Sequence, residues 1–411
     1  MRVLVVTHRL PYPPDKGDRI RAYQWLNALA RDHEVDVLAL ADEEVPLDHR
    51  RALEQCAHRV WTVTRRRSDL AGRMIRSILT GRSLTEAYFG SRRFSETLHR
   101  LLAEHEYDVC VAICSSVAAH VLHASSPPPL IVDLVDVDSV KWRRYAERHR
   151  GLRKWIYRRE SETVARLERE LAARADTIVT VSPAECELLQ RIAPAARSRA
   201  IPNAVDGDFF RPFDAGGNID HLVFVGQMDY FPNVDAVAWF AQQVWPALRQ
   251  RRTDLKWMIV GRHPSRAVKR LGKLPNVTVT GTVADVRPYL RSAISIAPLR
   301  VACGVQNKVL EALSCGRPVV ASSEVVRALS LHAQKEILLA DEPAEWIAAI
   351  ELLLDDPALA RRLGENARRA VRNRFDGHQA ADRMRRCVSR HGAGRRDPER
   401  STEATQPVCA G

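Results

Sequence analysis

Short apolar runs alternate with amphipathic stretches along most of the chain. The first run is Arg2-Val3-Leu4-Val5-Val6, and it precedes a stretch at 19–30 in which apolar residues recur every three or four positions. A short apolar run predicts a buried strand, and that recurrence predicts one apolar face of a helix. Because the two patterns alternate along the chain, the sequence predicts an α/β fold in which helices cover parallel sheets.

The apolar runs that predict strands fall into two groups. Those of the first half are Val3–Thr7, Val35–Leu40, Arg59–Val63, Tyr107–Ser115, Leu130–Val135 and Asp176–Ser182. Those of the second half are Asp220–Gly226, Lys256–Gly261, Asn276–Thr280, Ala293–Ala297 and Val319–Ala321. A chain of 411 residues is long enough for two domains, and we place their boundary near Asn203–Pro212. Residues 391–411 are polar and charged, which predicts a disordered tail.

Composition narrows the function only in part. A net charge of +13 suits nucleic acid, an anionic membrane surface or phosphorylated substrates, although a high arginine content also accompanies GC-rich genomes. The eight cysteines lack the spacing of metal ligands, so we expect reduced, buried thiols. No apolar run has the length of a membrane span and no signal peptide precedes the first strand, so we expect a cytoplasmic protein.

The stretch Val301–Ser323 carries the most distinctive chemistry. It follows the strand predicted at 293–297, turns at Gly304 and continues as a short amphipathic helix. A strand, a glycine loop and a helix in this order place the helix N-terminus at the carboxyl edge of a parallel sheet, where phosphates are favoured. Lys308 and Glu311 lie three positions apart and share one face of that helix. The lysine suits a diphosphate, and the carboxylate suits two ribose hydroxyls.

The segment Glu311–Val320 resembles the donor-site signature of the family 4 retaining glycosyltransferases, which have the GT-B fold. The segment Ile201–Pro212 resembles a second landmark of that family, where the chain crosses between domains. The resemblance implies two doubly wound, Rossmann-like domains that face each other across a cleft. It implies an acceptor-side domain at 1–204, a nucleotide-sugar-binding domain at 205–375 and a helix at 376–390 that returns to the first domain.

The same resemblance implies roles for individual residues. Glu311 would bind the ribose, and Lys308 would stabilise the charge of the leaving diphosphate. Family members carry a glutamate eight positions before Glu311, whereas this chain has Cys303. Most members also have Gly-Arg after the first strand of the second domain, whereas Gly226 is followed by glutamine, so Lys308 and Arg300 would supply the missing charge. The residues expected to bind the donor are Glu311, Gly304, Asn307, Gly226, Arg300, Cys303, Val283 and Gly17.

The first domain offers candidates for the acceptor side. Its first loop, at 8–18, is rich in proline, and in the GT-B family this loop faces the cleft. We therefore expect Lys16, Gly17 and Arg19 at the site, with a plain strand-to-helix connection as the alternative. His120 is a further candidate on a predicted helix, although a single histidine there is more often structural than catalytic.

The triplet Asp136-Val137-Asp138 ends a predicted strand. The other large glycosyltransferase fold binds a divalent ion with such a triplet, but GT-B enzymes generally need no such metal, so we expect no metal cofactor. Asp138 or Ser139 is also a natural N-cap for the helix that follows. Asp136 and Asp138 are the candidates for a carboxylate near the acceptor, because they end a strand where the cleft is expected.

The stretch Val140–Ala173 predicts one long helix whose first half is strongly basic. Aromatic residues are interleaved with the basic ones: Trp142, Tyr145, Trp155 and Tyr157. A basic helix with aromatic residues suits an anionic bilayer, and a long surface helix with one packed face gives the same pattern. The sequence leaves both interpretations open.

We therefore expect a glycosyltransferase that moves a sugar from a UDP- or GDP-linked donor to a glycan or lipid-linked acceptor, with retention. Segments 224–235 and 304–311 look like bacterial sugar transferases found with exosortase-linked exopolysaccharide systems. That resemblance implies a role in exopolysaccharide synthesis, and a peripheral position on the inner face of the plasma membrane is a further expectation.

Three alternatives stay open. The first is a nucleotide-sugar-binding protein that has lost transfer activity, and the second is a GT-B sugar epimerase. The third is a basic nucleic-acid-binding protein. The sequence lacks a recognisable nucleic-acid-binding motif and its aromatic residues are too few for a stacking platform, so we expect no specific nucleic acid as a partner.

Overall fold

The computed structural model describes residues 1–65, 68, 70–213, 219–302 and 304–392. The chain divides into two compact units. The first consists of Met1–Thr180, Cys186–Ile201 and the described residues from Ala381 onward, and the second of Val181–Glu185 and Pro202–Ala380. Among the described residues, no helix combines the length and the apolar character that a membrane span requires. The predicted disordered tail lies outside the described residues from position 393 onward.

A seven-stranded parallel sheet forms the centre of the first unit. Its strands are β1 Arg2–Thr7, β2 Glu34–Ala41, β3 Arg59–Thr64, β4 Val109–Ile113, β5 Leu130–Val135, β6 Thr177–Thr180 and β7 Ser198–Ala200. They pair in the order β3-β2-β1-β4-β5-β6-β7. Every residue of β4 is buried, as expected for an inner strand of a sheet that is covered on both faces.

Alternate residues of β1 enter two separate hydrophobic cores, because successive side chains of a strand point to opposite faces. Val3 lies in the core that contains Trp25. Leu4 lies in the core that contains Phe94. The helices up to the end of this sheet are α1 Gly17–Leu29, α2 Leu47–Glu54, α3 Leu70–Leu79, α4 Leu84–Phe89, α5 Arg92–Glu104, α6 Ser115–Leu122, α7 Asp138–Arg148, α8 Gly151–Arg174 and α9 Pro183–Ile192.

A six-stranded parallel sheet forms the centre of the second unit. Its strands are β8 His221–Val225, β9 Lys256–Val260, β10 Val277–Gly281, β11 Ala293–Ala297, β12 Val319–Ala321 and β13 Leu338–Leu339. They pair in the order β10-β9-β8-β11-β12-β13. The remaining helices are α10 Phe231–Gln243, α11 Trp245–Arg251, α12 Arg266–Leu271, α13 Arg287–Leu290, α14 Asn307–Ser314, α15 Ser323–Leu329, α16 Pro343–Asp355, α17 Pro357–Arg374 and α18 Gly377–Gly392.

Both sheets reverse their strand order beside their first strand. In the first unit β1 pairs with β2 on one side and β4 on the other, and in the second unit β8 pairs with β9 and β11. Two doubly wound parallel sheets confirm the α/β architecture that the alternating pattern predicts. Ligands of such sheets bind at the carboxyl ends of the strands where the order reverses, so two edges are candidate sites.

The single helix predicted over Val140–Ala173 is two helices. Arg148 is the last residue of α7, His149 and Arg150 have extended backbone, and Gly151, the first residue of α8, has a φ of +59°. A positive φ suits glycine and interrupts a right-handed helix. The basic residues before and after this break therefore belong to different helices.

The N-cap expected at Asp138 or Ser139 is also absent. The N-cap position of α7 is Val137, which has no side chain able to accept a hydrogen bond. Glu168 of α8 replaces it: its carboxylate accepts hydrogen bonds from the Ser139 backbone N–H, at 3.1 Å, and from the Ser139 hydroxyl. Burial raises the pKa of Glu168 to about 7.

Helix α8 also holds the N-terminus of α4 through Glu160. This buried carboxylate accepts hydrogen bonds from the backbone N–H groups of Leu84 and Thr85, each at 2.7 Å, and from the hydroxyls of Ser83 and Thr85. A negative charge at a helix N-terminus satisfies orphan donors and interacts favourably with the helix dipole. Glu160 thus links two segments that lie far apart in sequence.

We predict that Glu160→Ala lowers the free energy of unfolding by about 3 kcal/mol, because it leaves buried donors without an acceptor. Urea denaturation of the purified protein measures this loss. The matched control is Glu162→Ala on the same helix, whose ion pair with Arg158 is exposed and is worth less than about 1 kcal/mol. Equal losses for the two variants would contradict the role assigned to Glu160.

Candidate functional site

The second sheet brings two glycine-containing loops to the point where its strand order reverses. Gly226 directly follows β8. The segment that contains Gly304 follows the neighbouring strand β11 and leads into α14. Parallel strands end at the same edge of a sheet, so the β8–α10 and β11–α14 loops flank one position at that edge.

Backbone atoms pack directly against each other at this edge. The Gly226 N–H donates to the Val260 carbonyl at 3.0 Å. A Cβ atom placed on Gly261 would lie 1.7 Å from the Gly226 carbonyl oxygen, and Gly261 has a φ of +151°. A Cβ on Gly226 would lie 2.8 Å from Nδ2 of Asn233. Close approach of backbone therefore requires a glycine at position 261, whereas a side chain at position 226 would displace the Asn233 carboxamide.

Asn233 connects this loop to Lys308. Its Nδ2 donates to the Gln227 carbonyl at 2.9 Å, and its Oδ1 accepts a hydrogen bond from Nζ of Lys308. The same ammonium lies 4.5 Å from the centroid of the Phe224 ring, within the range of a cation–π interaction. Sequence reasoning missed Asn233, although its place at the start of a helix just after the glycine loop was visible.

Lys308 and Glu311 titrate close to neutral pH. Burial lowers the pKa of Lys308 to about 7, against the effect of the Glu311 carboxylate. Burial raises the pKa of Glu311 to about 7, against the effect of the Lys308 ammonium. Groups whose pKa values are displaced towards neutral pH by burial are candidates for ligand binding and catalysis.

Other residues expected at the donor have partners within the second unit. The Gly304 N–H donates to Oε1 of Glu185 at 3.3 Å, and Gly304 has a φ of +60°. Asn307, the first residue of α14, accepts a hydrogen bond from Nδ2 of Asn203 at 3.1 Å. The Gly304 amide expected to face a phosphate therefore faces a carboxylate in this structure, a contact that no local pattern in the sequence indicates.

Arg300 is ion-paired. Its Nε lies 3.0 Å from Oδ2 of Asp235 and its guanidinium lies 5.9 Å from the Trp239 ring. A cation with a carboxylate at this distance contributes less to an anionic ligand than a cation without one. Val283 packs against the hydrophobic core beyond the end of β10, and Cys303 lies outside the described residues.

The corresponding edge of the first unit carries an ionic cluster in the loop after β1. Asp18 lies 3.0 Å from Nε2 of His8 and is ion-paired with Arg9. Burial alone would raise the pKa of Asp18, but these two partners hold it far below its usual range. Sequence reasoning named Lys16, Gly17 and Arg19 in this loop and missed His8. Lys16 precedes α1, Gly17 opens it, and Arg19 is ion-paired with Asp15.

The aspartates expected near the acceptor follow a strained residue. Val135, at the end of β5, has a φ of +65°, and the end of β4 is followed by Cys114 with a φ of +81°. Such backbone is costly for a residue with a side chain and concentrates at functional sites. Asp136 comes next, and Asp138 is ion-paired with Lys141 in the first turn of α7.

His120 is explained by packing. Its Nδ1 lies 2.7 Å from the Ser95 hydroxyl, and its ring meets the Phe94 ring edge to face at 5.2 Å. Burial lowers the pKa of His120 to about 4, so the imidazole is neutral near pH 7. These contacts join α5 to α6 and favour the structural interpretation of this histidine.

Within the described residues, one group of possible metal ligands occurs, and it contains none of the candidate site residues. Glu34, Asp36 and His58 bring one ligand atom each within 4.8 Å of one another. Arg2 lies 2.8 Å from Asp36 and 3.4 Å from Glu34, so both carboxylates already share an ion pair with an arginine. The triplet Asp136-Val137-Asp138 is not part of that group.

Two family models match the chain. The model described as glycosyl transferase 4-like domain matches residues 16–204. The model described as glycosyl transferases group 1 matches residues 219–356. Together they cover the greater part of both units, and no curated protein matches the chain significantly.

Solved structures of glycosyltransferases are similar over nearly the whole chain. Sucrose-phosphate synthase from Thermosynechococcus elongatus is 18% identical with a TM-score of 0.74, over 96% of this chain and 100% of that one. HepE from Anabaena in complex with UDP is 16% identical with a TM-score of 0.68, over 95% and 100%. WaaG, a glycosyltransferase involved in lipopolysaccharide biosynthesis, is 14% identical with a TM-score of 0.63, over 93% and 99%. The likeness confirms the predicted GT-B fold.

We predict that Lys308→Met stabilises the protein increasingly as the pH falls from about 10 towards about 7. The folded state holds the pKa of Lys308 near 7, below its value of about 10.4 in an unfolded chain. Between these values the unfolded chain binds more protons, so wild-type stability falls with falling pH, by at most about 1.4 kcal/mol per pH unit. Methionine removes that loss.

Urea denaturation at several pH values measures the difference between Lys308→Met and the wild type. Lys269→Met, at an exposed position of α12, is the matched control and should show no such trend. A difference between Lys308→Met and the wild type that is constant across this pH range would contradict the burial of the ammonium group.

Proposed function

We propose that this protein, a glycosyltransferase with the GT-B fold, moves a sugar from a nucleoside diphosphate sugar to a glycan or lipid-linked acceptor with retention. The observation that carries the proposal is the Lys308–Glu311 pair. Both residues lie on the helix after β11, and Lys308 contacts Asn233 beside the loop of Gly226, at the edge where doubly wound sheets bind nucleotides. Retention and membership of family 4 rest on the resemblance of Glu311–Val320 to the family's donor signature.

A uridine nucleotide is the first donor to test. HepE from Anabaena has been solved with UDP and with UDP-glucose, and its fold extends over nearly the whole of this chain. A GDP-linked donor is the alternative. We propose no metal cofactor, because Lys308 would stabilise the charge of the leaving diphosphate.

Lys308 would act at the leaving group. A diphosphate that approaches the edge would raise the pKa of Lys308 and recruit its ammonium, since a negative charge favours the protonated form. In a site that excludes water, one such cation stabilises developing charge far more than an exposed cation does. The Arg300 guanidinium already faces Asp235, so we assign the main share of this role to Lys308.

Glu311 would hold the ribose. An ionised carboxylate accepts hydrogen bonds from two neighbouring hydroxyls, and such charge-assisted bonds are the stronger kind. Asp136 and Asp138 would serve the acceptor from the first unit, with Lys16, Gly17 and Arg19 nearby in the chain's first loop. Positioning of donor and acceptor would then supply much of the rate enhancement.

The biological setting that we propose is the synthesis of a bacterial exopolysaccharide or another cell-surface glycan. Segments 224–235 and 304–311 support it through their resemblance to exosortase-associated sugar transferases. The fold shared with WaaG, which acts in lipopolysaccharide biosynthesis, agrees with it.

A nucleotide-sugar-binding protein without transfer activity is the second candidate. Two contacts favour it: the Gly304 amide donates to Glu185, and Arg300 is neutralised by Asp235. Release of UDP from a panel of UDP-sugars, with and without glycan acceptors, separates the candidates. Binding without any release of UDP or GDP would favour the second candidate.

We predict that Glu311→Ala weakens UDP binding by about ten- to a hundredfold, because a hydrogen bond to a charged acceptor is worth about 1.5–3 kcal/mol. Titration calorimetry measures the affinity, and a thermal melt confirms that the variant is folded. Glu365→Ala, at an exposed position of α17, is the matched control. An unchanged affinity for UDP in Glu311→Ala would show that the ribose does not contact this residue.

We also predict that UDP binding at about pH 8 takes up a proton. Lys308 is largely neutral there because its pKa is about 7, and the bound diphosphate restores its charge. Binding heats in buffers of different ionisation enthalpy report the proton. The uptake should be absent in Lys308→Met and present in Lys269→Met, and heats that do not depend on the buffer would contradict the assignment.

A further inference from the structure

Exposed apolar side chains are concentrated in one part of the first unit. Apart from Leu47, the large hydrophobic residues that the described part of this unit leaves most exposed belong to two helices. They are Ile75, Ile78 and Leu79 of α3, exposed by 60%, 46% and 80%, and Leu152 and Trp155 of α8, exposed by 72% and 55%. Scattered exposed apolar residues need no explanation, whereas a concentration of them marks a binding surface.

The residues on α3 form one stripe. Ile75, Ile78 and Leu79 are spaced by three and four positions and therefore lie on one side of the helix. The only buried residue of α3 is Ser77, whose hydroxyl donates to the Arg82 and Ser83 carbonyls. The helix thus attaches to the unit by its polar side and by its C-terminal end, and its apolar stripe is left uncovered.

Arg159 joins that stripe to the exposed residues of α8. It follows Leu152 and Trp155 by seven and four positions, so all three lie on one face of α8. Its Nη2 donates to the carbonyl oxygens of Ser77, at 2.9 Å, and Ile78, at 3.4 Å. The exposed residues of α3 and the first turns of α8 therefore form one surface, which we call the α3–α8 surface.

Positive charge surrounds these apolar residues. Segments 70–82 and 148–159 contain nine cations and no carboxylate. The cations are Arg73, Arg76, Arg82, Arg148, Arg150, Arg153, Lys154, Arg158 and Arg159. Such a density of like charge disfavours a second copy of this chain as the occupant, because the two surfaces would repel each other.

The other aromatic residues of the basic stretch have a structural role. The rings of Trp142 and Tyr157 stack at 5.5 Å, and Tyr145 and His149 meet Tyr157 at 5.8 and 4.9 Å. This cluster fixes the start of α8 against α7. Trp155 is the aromatic residue left exposed, and one indole ring among aliphatic side chains does not form the stacking platform of a nucleic-acid-binding surface.

We propose that the α3–α8 surface binds the face of a bilayer that contains anionic lipid. Its aliphatic residues and Trp155 would enter the boundary between headgroups and acyl chains, where tryptophan is enriched. Its exposed cations, apart from Arg158, which is ion-paired with Glu162, would bind the anionic headgroups, each lowering the dissociation constant by about fivefold. This surface belongs to the first unit alone, and its lipid binding does not depend on the activity proposed above.

Vesicle sedimentation tests the proposal with phosphatidylcholine vesicles and with phosphatidylcholine–phosphatidylglycerol vesicles. The full chain should sediment with the second kind only, and added salt should weaken the binding. Arg150→Gln, Arg153→Gln and Lys154→Gln together should lower the partition coefficient about a hundredfold, at about fivefold per cation. Arg361→Gln, Arg362→Gln and Arg372→Gln, exposed on α17, are the matched control and should change it little.

A second set of variants tests the apolar residues. Ile78→Ser, Leu79→Ser and Trp155→Ser together should reduce binding at a salt concentration that leaves the wild type partly bound, whereas Leu274→Ser with Leu352→Ser, exposed in the second unit, should not. Brominated lipid should quench fluorescence in the wild type and quench it much less in Trp155→Phe. All these positions are exposed, so thermal melts should match the wild type.

Three results would overturn the proposal. The first is equal sedimentation with both kinds of vesicle, or with neither. The second is equal loss of binding in the surface variants and their matched controls. The third is binding to duplex nucleic acid, lost in the arginine and lysine variant, without any binding to vesicles; that result would assign the surface to nucleic acid.

Discussion

The hydrogen bond from Lys308 to Asn233 is the contact on which the edge of the second sheet depends. It brings a helix that follows β11 to a loop that follows β8, and it places an ammonium group where water is scarce. Gly226 has no side chain, which leaves room for Asn233. The Gln227 carbonyl accepts a hydrogen bond from Nδ2 of Asn233, so Oδ1 of Asn233 faces the lysine. Removal of the Asn233 carboxamide would leave the desolvated ammonium group of Lys308 without its acceptor, which costs more than the bond itself is worth.

The first unit uses buried carboxylates in a similar way. Glu160 and Glu168, two turns apart on α8, accept hydrogen bonds from the N-terminal turns of α4 and α7. A helix N-terminus satisfied by a distant carboxylate is fixed in position as well as in conformation, because the acceptor belongs to another element. Helix α8 thereby orders the segment from α3 to α4 and presents its own basic first turns beside α3.

The sequence predicts the inner strands well because strands inside parallel sheets are apolar throughout, and such runs stand out from the amphipathic helices around them. It misses the short edge strands β7 and β13. It also predicts the neighbourhood of Lys308 and Glu311, because their spacing on one short helix is a local property. It does not predict the ion pair between Arg300 and Asp235, or the contact of Gly304 with Glu185, since each joins residues far apart in sequence. The break between α7 and α8 was missed for a related reason: helical periodicity continues on both sides of it, and only His149, Arg150 and Gly151 depart from the helical conformation.

The surface cations and the cation of the proposed donor site differ in their exposure to solvent, and they would therefore attract anionic partners with different strength. Nine of the cations lie in segments 70–82 and 148–159. Seven of these nine are exposed, so solvent and salt screen them and each adds a small, additive attraction. At the edge of the second sheet, Arg300 is ion-paired with Asp235. Burial lowers the pKa of Lys308 at the same edge, so a bound anion would change its charge. In the proposed donor site, a single desolvated cation would therefore have a stronger effect on a diphosphate than the net charge of +13 suggests. For this reason composition pointed to anionic partners in general, whereas only the contacts of individual side chains separate a phosphate site from a lipid surface.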